Sequence, residues 1–252
     1  GFSAWLIGKS TADGHSLAYT LTLITIMGLA VGATNGFLVG YMKLPSLVVT
    51  LSTMYIVRGL FSQISSGRTI IESEVPSAVS YIGRNSLFGI PYMFIIAFAL
   101  VIIAGQGMRR IRAARDLYAI GSNLPAAELA GIPVAKRTFW AFVLNSLIAS
   151  TGGIILLSRF NAADTNSGLG LELNVIAACV VGGVAIAGGI GTTYGALIGA
   201  LLLQSITQAL GALGVSQFWQ QAVNGTLLIL AISLDRYLSL RVKPTTILRV
   251  KK

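Results

Sequence analysis

One cysteine, one histidine and eight acidic residues are all that 252 positions offer to redox, metal or acid–base chemistry. Cys179 has no partner with which to close an internal disulfide, so the thiol says little about compartment. Neither it nor His15 lies near a carboxylate cluster, which leaves no ligand set for a metal and no credible catalytic residue. Charged residues make up 10% of the chain against 54% hydrophobic, and mean hydropathy is +0.79. A soluble domain carries roughly 25% charged residues, so a water-soluble core is excluded. The apolar runs are too long and too uniform for the alternating strands of an outer-membrane barrel. The glycine-rich run GGVAIAGGIG at 182–191 lacks the lysine of G-x-x-x-x-G-K-[ST] and sits between apolar segments. Its glycines are expected to permit close helix packing and a tight re-entrant turn, not to cradle phosphate.

What is present is a succession of apolar segments. The expected fold is all-α: a polytopic helical bundle of about six complete spans plus a partial first one, forming a single transmembrane domain over residues 1–252. Residues 1–8 are too short to cross the roughly 30 Å bilayer core. The chain opens on Gly-Phe-Ser without a basic leader segment, so N-terminal truncation is expected. Leu17 to Met42 is the first complete span, with Gly28, Gly32, Gly36 and Gly40 at a spacing of four. Such a ladder presents a smooth strip where a neighbouring backbone can approach closely. Asn35 lies beside it and needs a partner or a cavity. A turn at Lys43-Leu44-Pro45, with Pro45 in the first turn of the next helix, leads to a span from Leu44 to Leu60 carrying Thr50, Ser52 and Thr53. Residues 61–91 read as an extramembrane loop with a short interfacial helix. Further spans are expected at Pro91–Gly107, Thr138–Leu157 (with Asn145 near its centre), Tyr194–Leu213 and Phe218–Leu234. A shorter apolar segment at Leu173–Ala187 begins beside Asn174, and Gly191, Gly195 and Gly199 repeat the close-packing spacing.

The net charge of +10 would suggest nucleic acid in a soluble protein, but in a membrane protein basic residues mark the cytoplasmic side. With the 108–137 loop placed inside and the sides alternated along the chain, 13 basic residues fall inside: Lys43, Arg109, Arg110, Arg112, Arg115, Lys136, Arg137, Arg236, Arg241, Lys243, Arg249, Lys251 and Lys252. Five fall outside: Lys9, Arg58, Arg68, Arg84 and Arg159. The segments were drawn without reference to charge, so this asymmetry supports the parsing and puts the C-terminus in the cytoplasm. No nucleic-acid partner is expected. No charged residue is clearly placed at the centre of a span, which argues against an ion-coupled secondary carrier with buried carboxylates, the alternative class.

The loop at 108–137 is the one compact polar element large enough to meet another protein. Within it Leu124–Leu129 is expected to be a short helix, with Asn123 as N-cap, Pro125 in the first turn, Gly131 as the stop and Pro133 just beyond. The stretch RDLYAIGSNLPAAELAGIPVAK resembles the cytoplasmic coupling loop of the ribose-type ABC importer permeases, a group related to the branched-chain amino acid permeases. Residues 32–60, 167–192 and 195–232 are similar to the same family in the same order. The resemblance implies a bacterial inner-membrane, multi-pass permease subunit for a sugar or sugar-like solute. Its implied partners are a cytoplasmic ATP-binding subunit that holds ATP and Mg, a second permease in a homo- or heterodimer, a periplasmic solute-binding protein and membrane lipid. It also implies that residues 61–91 are periplasmic, and that Arg115, Tyr118, Gly121, Asn123, Ala127 and Gly131 meet the ATPase subunit. The permease chain itself would hold no cofactor. A neutral path is expected to use Asn35, Thr50, Asn145 and Asn174, each of which can equally serve as a helix–helix bond.

Overall fold

The computed structural model describes residues 1–216 and, beyond them, 219, 220, 222, 223, 225–227, 229, 230 and 233. The Phe218–Leu234 span and the basic tail lie largely or wholly outside the described residues. In order come α1 (Phe2–Ala12), α2 (Leu17–Gly40), α3 (Ser46–Ser65), a 3-10 turn (Glu72–Glu74), α4 (Ser77–Arg84) and a minimal hairpin of β1 (Ser86–Leu87) and β2 (Ile90–Pro91). Then follow α5 (Tyr92–Arg110), α6 (Arg112–Ser122), α7 (Leu124–Leu129), α8 (Val134–Phe160), α9 (Leu171–Val181) and α10 (Thr193–Ala212). Among the described residues α2, α3, α5, α8 and α10 are long and apolar enough to cross a membrane. Where one domain is expected over 1–252, the chain divides into two compact units, Gly1–Leu169 and Gly170–Lys252.

Prolines set the helix starts. Pro45, Pro76, Pro91 and Pro133 each stand immediately before a helix, the first three in extended geometry with ψ of 123°, 136° and 137°, and Pro133 in a tight turn with ψ 77°. A residue without an amide hydrogen cannot continue a helix from behind, but it can precede one without loss. Pro45 therefore sits one residue before α3, not within its first turn as expected. In α2 the start is a side-chain cap: Ser16 accepts from the Tyr19 amide at 3.3 Å.

The axis of the first unit is the α2–α8 pair, and the glycine ladder faces it. A Cβ built on Gly28 would lie 2.6 Å from Ser150 Oγ, on Gly32 2.7 Å from Val143 Cα, on Gly36 2.8 Å from the Phe139 carbonyl oxygen, and on Gly40 2.8 Å from that of Ala135. Lipid supplies no hydrophobic drive between spans, so contact at backbone distance is what holds such a pair. The outward faces are correspondingly apolar and exposed, for example Ile26, Tyr55, Ile56, Ile103 and Leu144.

The most deeply buried cluster lies at the end of this unit that carries the 61–91 connection. Ala4, Trp5, Ile7, Ile24, Phe61, Ile70, Val79, Leu157 and Ala163 pack there. The Trp5 ring meets Phe61 at 5.7 Å, and its Nε1 donates to the Arg68 carbonyl at 2.8 Å. Ile70 and Ala163 exchange both backbone hydrogen bonds, at 2.8 and 3.2 Å, which ties the two connections together. Arg68 pairs with Glu74, and its guanidinium holds the Glu74 carboxyl below the usual carboxylate range; Arg84 pairs with Glu72.

Several boundaries move. Residues 9–12 continue the partial first segment as the end of α1. α3 runs to Ser65, because Phe61 and Ser65 recur at helical spacing on its buried side and Phe61 enters the core cluster. α8 extends beyond its apolar stretch at both ends, taking in Lys136, Arg137 and Arg159, whose long stems let a charge sit at a helix end. α9 stops at Val181, where Gly182 and Gly183 (φ +82°) turn the chain. Its 11 residues span about 16 Å at 1.5 Å per residue, roughly half the bilayer core.

Within the second unit α9 and α10 form an antiparallel hairpin. Ala178 meets Gly199 and Gly182 meets Gly195 so closely that a Cβ at Gly182, Gly195 or Gly199 would collide with facing backbone. Gly191 does not belong to this contact. It precedes the Thr192 N-cap in the loop, at φ +148° against the Val184 side chain, and Gly182 takes the place given to it by spacing alone.

Candidate functional site

Between α5 and α8 the chain builds two short helices at one end of the first unit. Ile111 is extended after Arg109 and Arg110, α6 follows, and Asn123 is extended again (φ −158°) before α7. The Asn123 Oδ1 accepts from the Ala126 amide at 3.0 Å, a cap that contributes about 1 kcal/mol. At the other end Gly131 takes φ +76°. Its amide donates to the Glu128 carbonyl at 3.0 Å, and that of Ile132 to the Ala127 carbonyl at 3.1 Å. This pair of bonds across a left-handed glycine is the Schellman arrangement, which satisfies the carbonyls that the helix end leaves open. α7 is thus closed at both ends in only six residues. α6 is anchored by Asp116, whose Oδ2 accepts from Arg137 Nε at 2.7 Å in the first turn of α8, with side chains 23% and 28% exposed. The Lys43–Glu128 pair at 3.9 Å is open to water and adds little. A groove of about 780 Å³ runs between the Tyr41–Leu44 turn, α7 and the start of α8, lined largely by Leu44, Leu124, Ile132 and Val134.

The six residues expected to face a partner do not share one surface. Arg115 and Gly131 are exposed; Tyr118 and Gly121 are half-buried on α6. Asn123 spends its side-chain oxygen on the cap. Ala127 is turned inward at 4% exposure and packs within its own chain. The side chain that α7 offers outward is Leu129, 91% exposed, with Leu124 beside it at 46%. A leucine is inconspicuous in a chain this apolar, and sequence reading missed it. It also missed α6 and the Asp116–Arg137 tie, because a polar connection gives no hydrophobic periodicity to detect.

The polar residues of the spans divide similarly. Asn35, 7% exposed, accepts at Oδ1 from the Thr53 hydroxyl at 2.7 Å, joining α2 to α3. Thr50 takes no part: its hydroxyl bonds back to Ser46 and Leu47 of its own helix, at 2.9 and 3.2 Å. Asn145 is exposed on α8. Asn174 lies in the second unit, where it lines a hollow of about 240 Å³ with Gln204 and Thr207. Arg58 is the surprise. It is the thirteenth of twenty residues in α3, well inside the span now that the helix is seen to reach Ser65. Its Nη1 donates to the Thr165 carbonyl at 3.3 Å. Among the described residues no group of three or more His, Cys, Asp or Glu side chains is placed to hold a metal ion.

Five helices long and apolar enough to cross a membrane among the described residues, together with close-packed glycine contacts, define a multi-pass helical membrane protein. Comparison gives the family. The pattern described as "Branched-chain amino acid transport system / permease component" matches residues 1–232, and the chain belongs to this family of permease components. It is 36% identical over 236 residues to the L-arabinose ABC transporter permease protein AraH of Azospirillum brasilense, covering 94% of this chain and 69% of that protein. It is 40% identical over 204 residues to the L-arabinose transport system permease protein AraH of Escherichia coli K12, covering 81% of this chain and 61% of that one. The autoinducer 2 import system permease protein LsrC of Enterobacter sp. (strain 638) is 32% identical over 235 residues, with 93% and 68% covered. The chain thus spans about two thirds of the length of these relatives. No solved structure matches it.

Proposed function

We propose that this chain is the transmembrane permease subunit of an ATP-driven importer in the bacterial inner membrane, carrying a sugar or sugar-like solute. Its named relatives serve L-arabinose and autoinducer 2. The energy comes from a separate cytoplasmic ATP-binding subunit, and a periplasmic binding protein delivers the solute to a permease dimer. The end carrying α6 and α7 faces the cytoplasm, in keeping with the 13 basic residues assigned to that side against 5 on the other.

The observation that carries this reading is α7 itself, with Leu129 at 91% exposure on a helix capped at both ends. A short stiff helix joined to α8 through one turn can transmit a push to a span that a flexible loop would absorb. Closure of the ATPase subunits would then move α7, and the α2–α8 pair, locked by its glycine contacts, would move as one body between two access states. The alternative, a carrier driven by an ion gradient, gains nothing from the polar contact that joins α2 and α3, since both partners in it are neutral.

The test is uptake of labelled L-arabinose and D-xylose into proteoliposomes containing the full-length chain, its ATP-binding subunit and its binding protein. Uptake should require internal hydrolysable ATP and survive collapse of proton and sodium gradients. Uptake driven by a gradient without ATP would overturn the reading.

A further inference from the structure

The faces that α2 and α3 protect from lipid carry more hydrogen-bond donors than acceptors. Asn35 is more than nine-tenths buried, and only its oxygen is used, by Thr53. Its two amide hydrogens meet no acceptor among the described residues, although a buried donor at membrane depth costs several kcal/mol when left open. Arg58 repeats the situation more strongly. Among the described residues four of its five N–H groups meet no acceptor, its one acceptor is the Thr165 carbonyl, and it enters none of the ion pairs. Five of this unit's six acids have other partners: Glu72 and Glu74 pair with arginines, Asp116 with Arg137, Glu128 with Lys43, and Asp164 accepts from Ser167 and the Asn166 amide.

Arg58 and Thr53, the partner of Asn35, both belong to the protected side of α3. Val49, Thr50, Thr53, Met54, Val57, Arg58, Phe61 and Ser65 are its shielded positions, while Leu51, Tyr55, Ile56 and Leu60 are exposed. Thr53 and Arg58 lie at the two margins of that side, about 8 Å apart along the axis for five residues at 1.5 Å each. An ionisable group kept inside a span marks a solute path by default, and an amide beside it with open donors can serve the same path.

We propose that Asn35 with Thr53, and Arg58 one step further along α3, are two solute-contacting stations of the transmembrane path, and that they recognise a neutral polyhydroxylated solute through its hydroxyl and ring oxygens. A site rich in donors and poor in acceptors suits a ligand whose oxygens can accept at every position. The proposal rests on the importer reading above and deepens it.

The experiment uses the full-length complex in proteoliposomes, with labelled L-arabinose and D-xylose as probes. The quantity read is solute carried per ATP hydrolysed. The double variant Asn35→Leu/Thr53→Val removes both members of the pair, so no new open donor is created and the apolar replacement should leave thermal stability equal or higher. Solute carried per ATP should fall at least tenfold, with ATP hydrolysis stimulated by the binding protein staying within twofold. Arg58→Gln should give the same split. Loss of stability with an unchanged transport ratio would show a helix–helix bond only and overturn the proposal. Thr53→Val alone serves if the double variant does not assemble, with at least a threefold fall expected and an unchanged ratio counting against it. If the unaltered complex hydrolyses ATP but carries neither sugar, the importer reading falls first and this proposal with it.

Discussion

Replacing Gly32 by alanine should destabilise the first unit by an amount that can be bounded from the contacts. The added Cβ would stand 2.7 Å from Val143 Cα and 3.0 Å from both the Phe142 carbonyl oxygen and Ser146 Cβ. Two of these are backbone atoms of α8, which cannot swing aside as a side chain could. Relief requires α2 and α8 to part by several tenths of an ångström, and overpacking of this kind costs about 1–3 kcal/mol. Against this, alanine gains up to about 1 kcal/mol over glycine in helix propensity, so a net loss of roughly 1–2 kcal/mol is expected. Gly152 supplies the control: it lies in α8 with nothing within 4 Å of an added Cβ. Gly152→Ala should be neutral or stabilising. The Gly32→Ala/Gly36→Ala double variant should cost less than the two singles added, because one separation of the helices relieves both sites. The assay is thermal unfolding of the purified protein in one detergent, with all four variants measured together. If Gly32→Ala unfolds where Gly152→Ala does, the close approach of α2 and α8 is not what stabilises the unit.

Gly131→Ala should cost about 1 kcal/mol through its left-handed backbone alone, since an added Cβ there meets nothing within 4 Å; the melting temperature reads this, and an unchanged value would contradict the turn geometry. Asp116→Asn and Arg137→Gln should show a coupling of about 1 kcal/mol in a double-mutant cycle by chemical unfolding, modest because both groups are partly open to water; strict additivity would remove α6 from the structural connection to α8. The Glu74 carboxyl is depressed in the folded protein by its hydrogen bond from Arg68. Its contribution is therefore present above its ordinary value of 4.5 and is lost as pH falls through the lower folded value. Trp5, bonded to the Arg68 carbonyl, reports on it: with Trp140 and Trp219 replaced by phenylalanine, its emission should shift in acid in a way that Glu74→Gln abolishes. Identical acid profiles for the two proteins would refute the link.

How much of this was legible in the sequence follows from which forces leave a local trace. Span positions did, since hydropathy and proline placement act within a few residues. The α7 cap was legible for the same reason: Asn123, Pro125 and Gly131 encode its two ends within nine positions. The glycine spacing on α2 also told of a close neighbour, though not that the neighbour is α8. Long-range choices left no such trace. Whether Thr50 or Thr53 meets Asn35 depends on the rotation and height of α3 against α2: the two lie about 60° apart around the helix, yet one hydroxyl bonds to its own helix and the other bridges two. Arg58 read as a residue near the end of its span because the apolar run fades at Leu60; only the burial of Phe61 and Ser65 shows the helix continuing past it. Ala127 and Leu129 are both apolar, and only the docking of α7 on its own chain sends one inward and the other out.

The central claim is that α7 receives the ATPase subunit, and Leu129 tests it most directly. Leu129→Glu adds charge to a side chain 91% exposed, so folding, membrane yield and thermal stability should match the unaltered protein. Co-purification of the ATP-binding subunit with the full-length permease should then fall at least tenfold, and Leu129→Met should restore it. Undiminished capture of the ATP-binding subunit by Leu129→Glu would contradict the account.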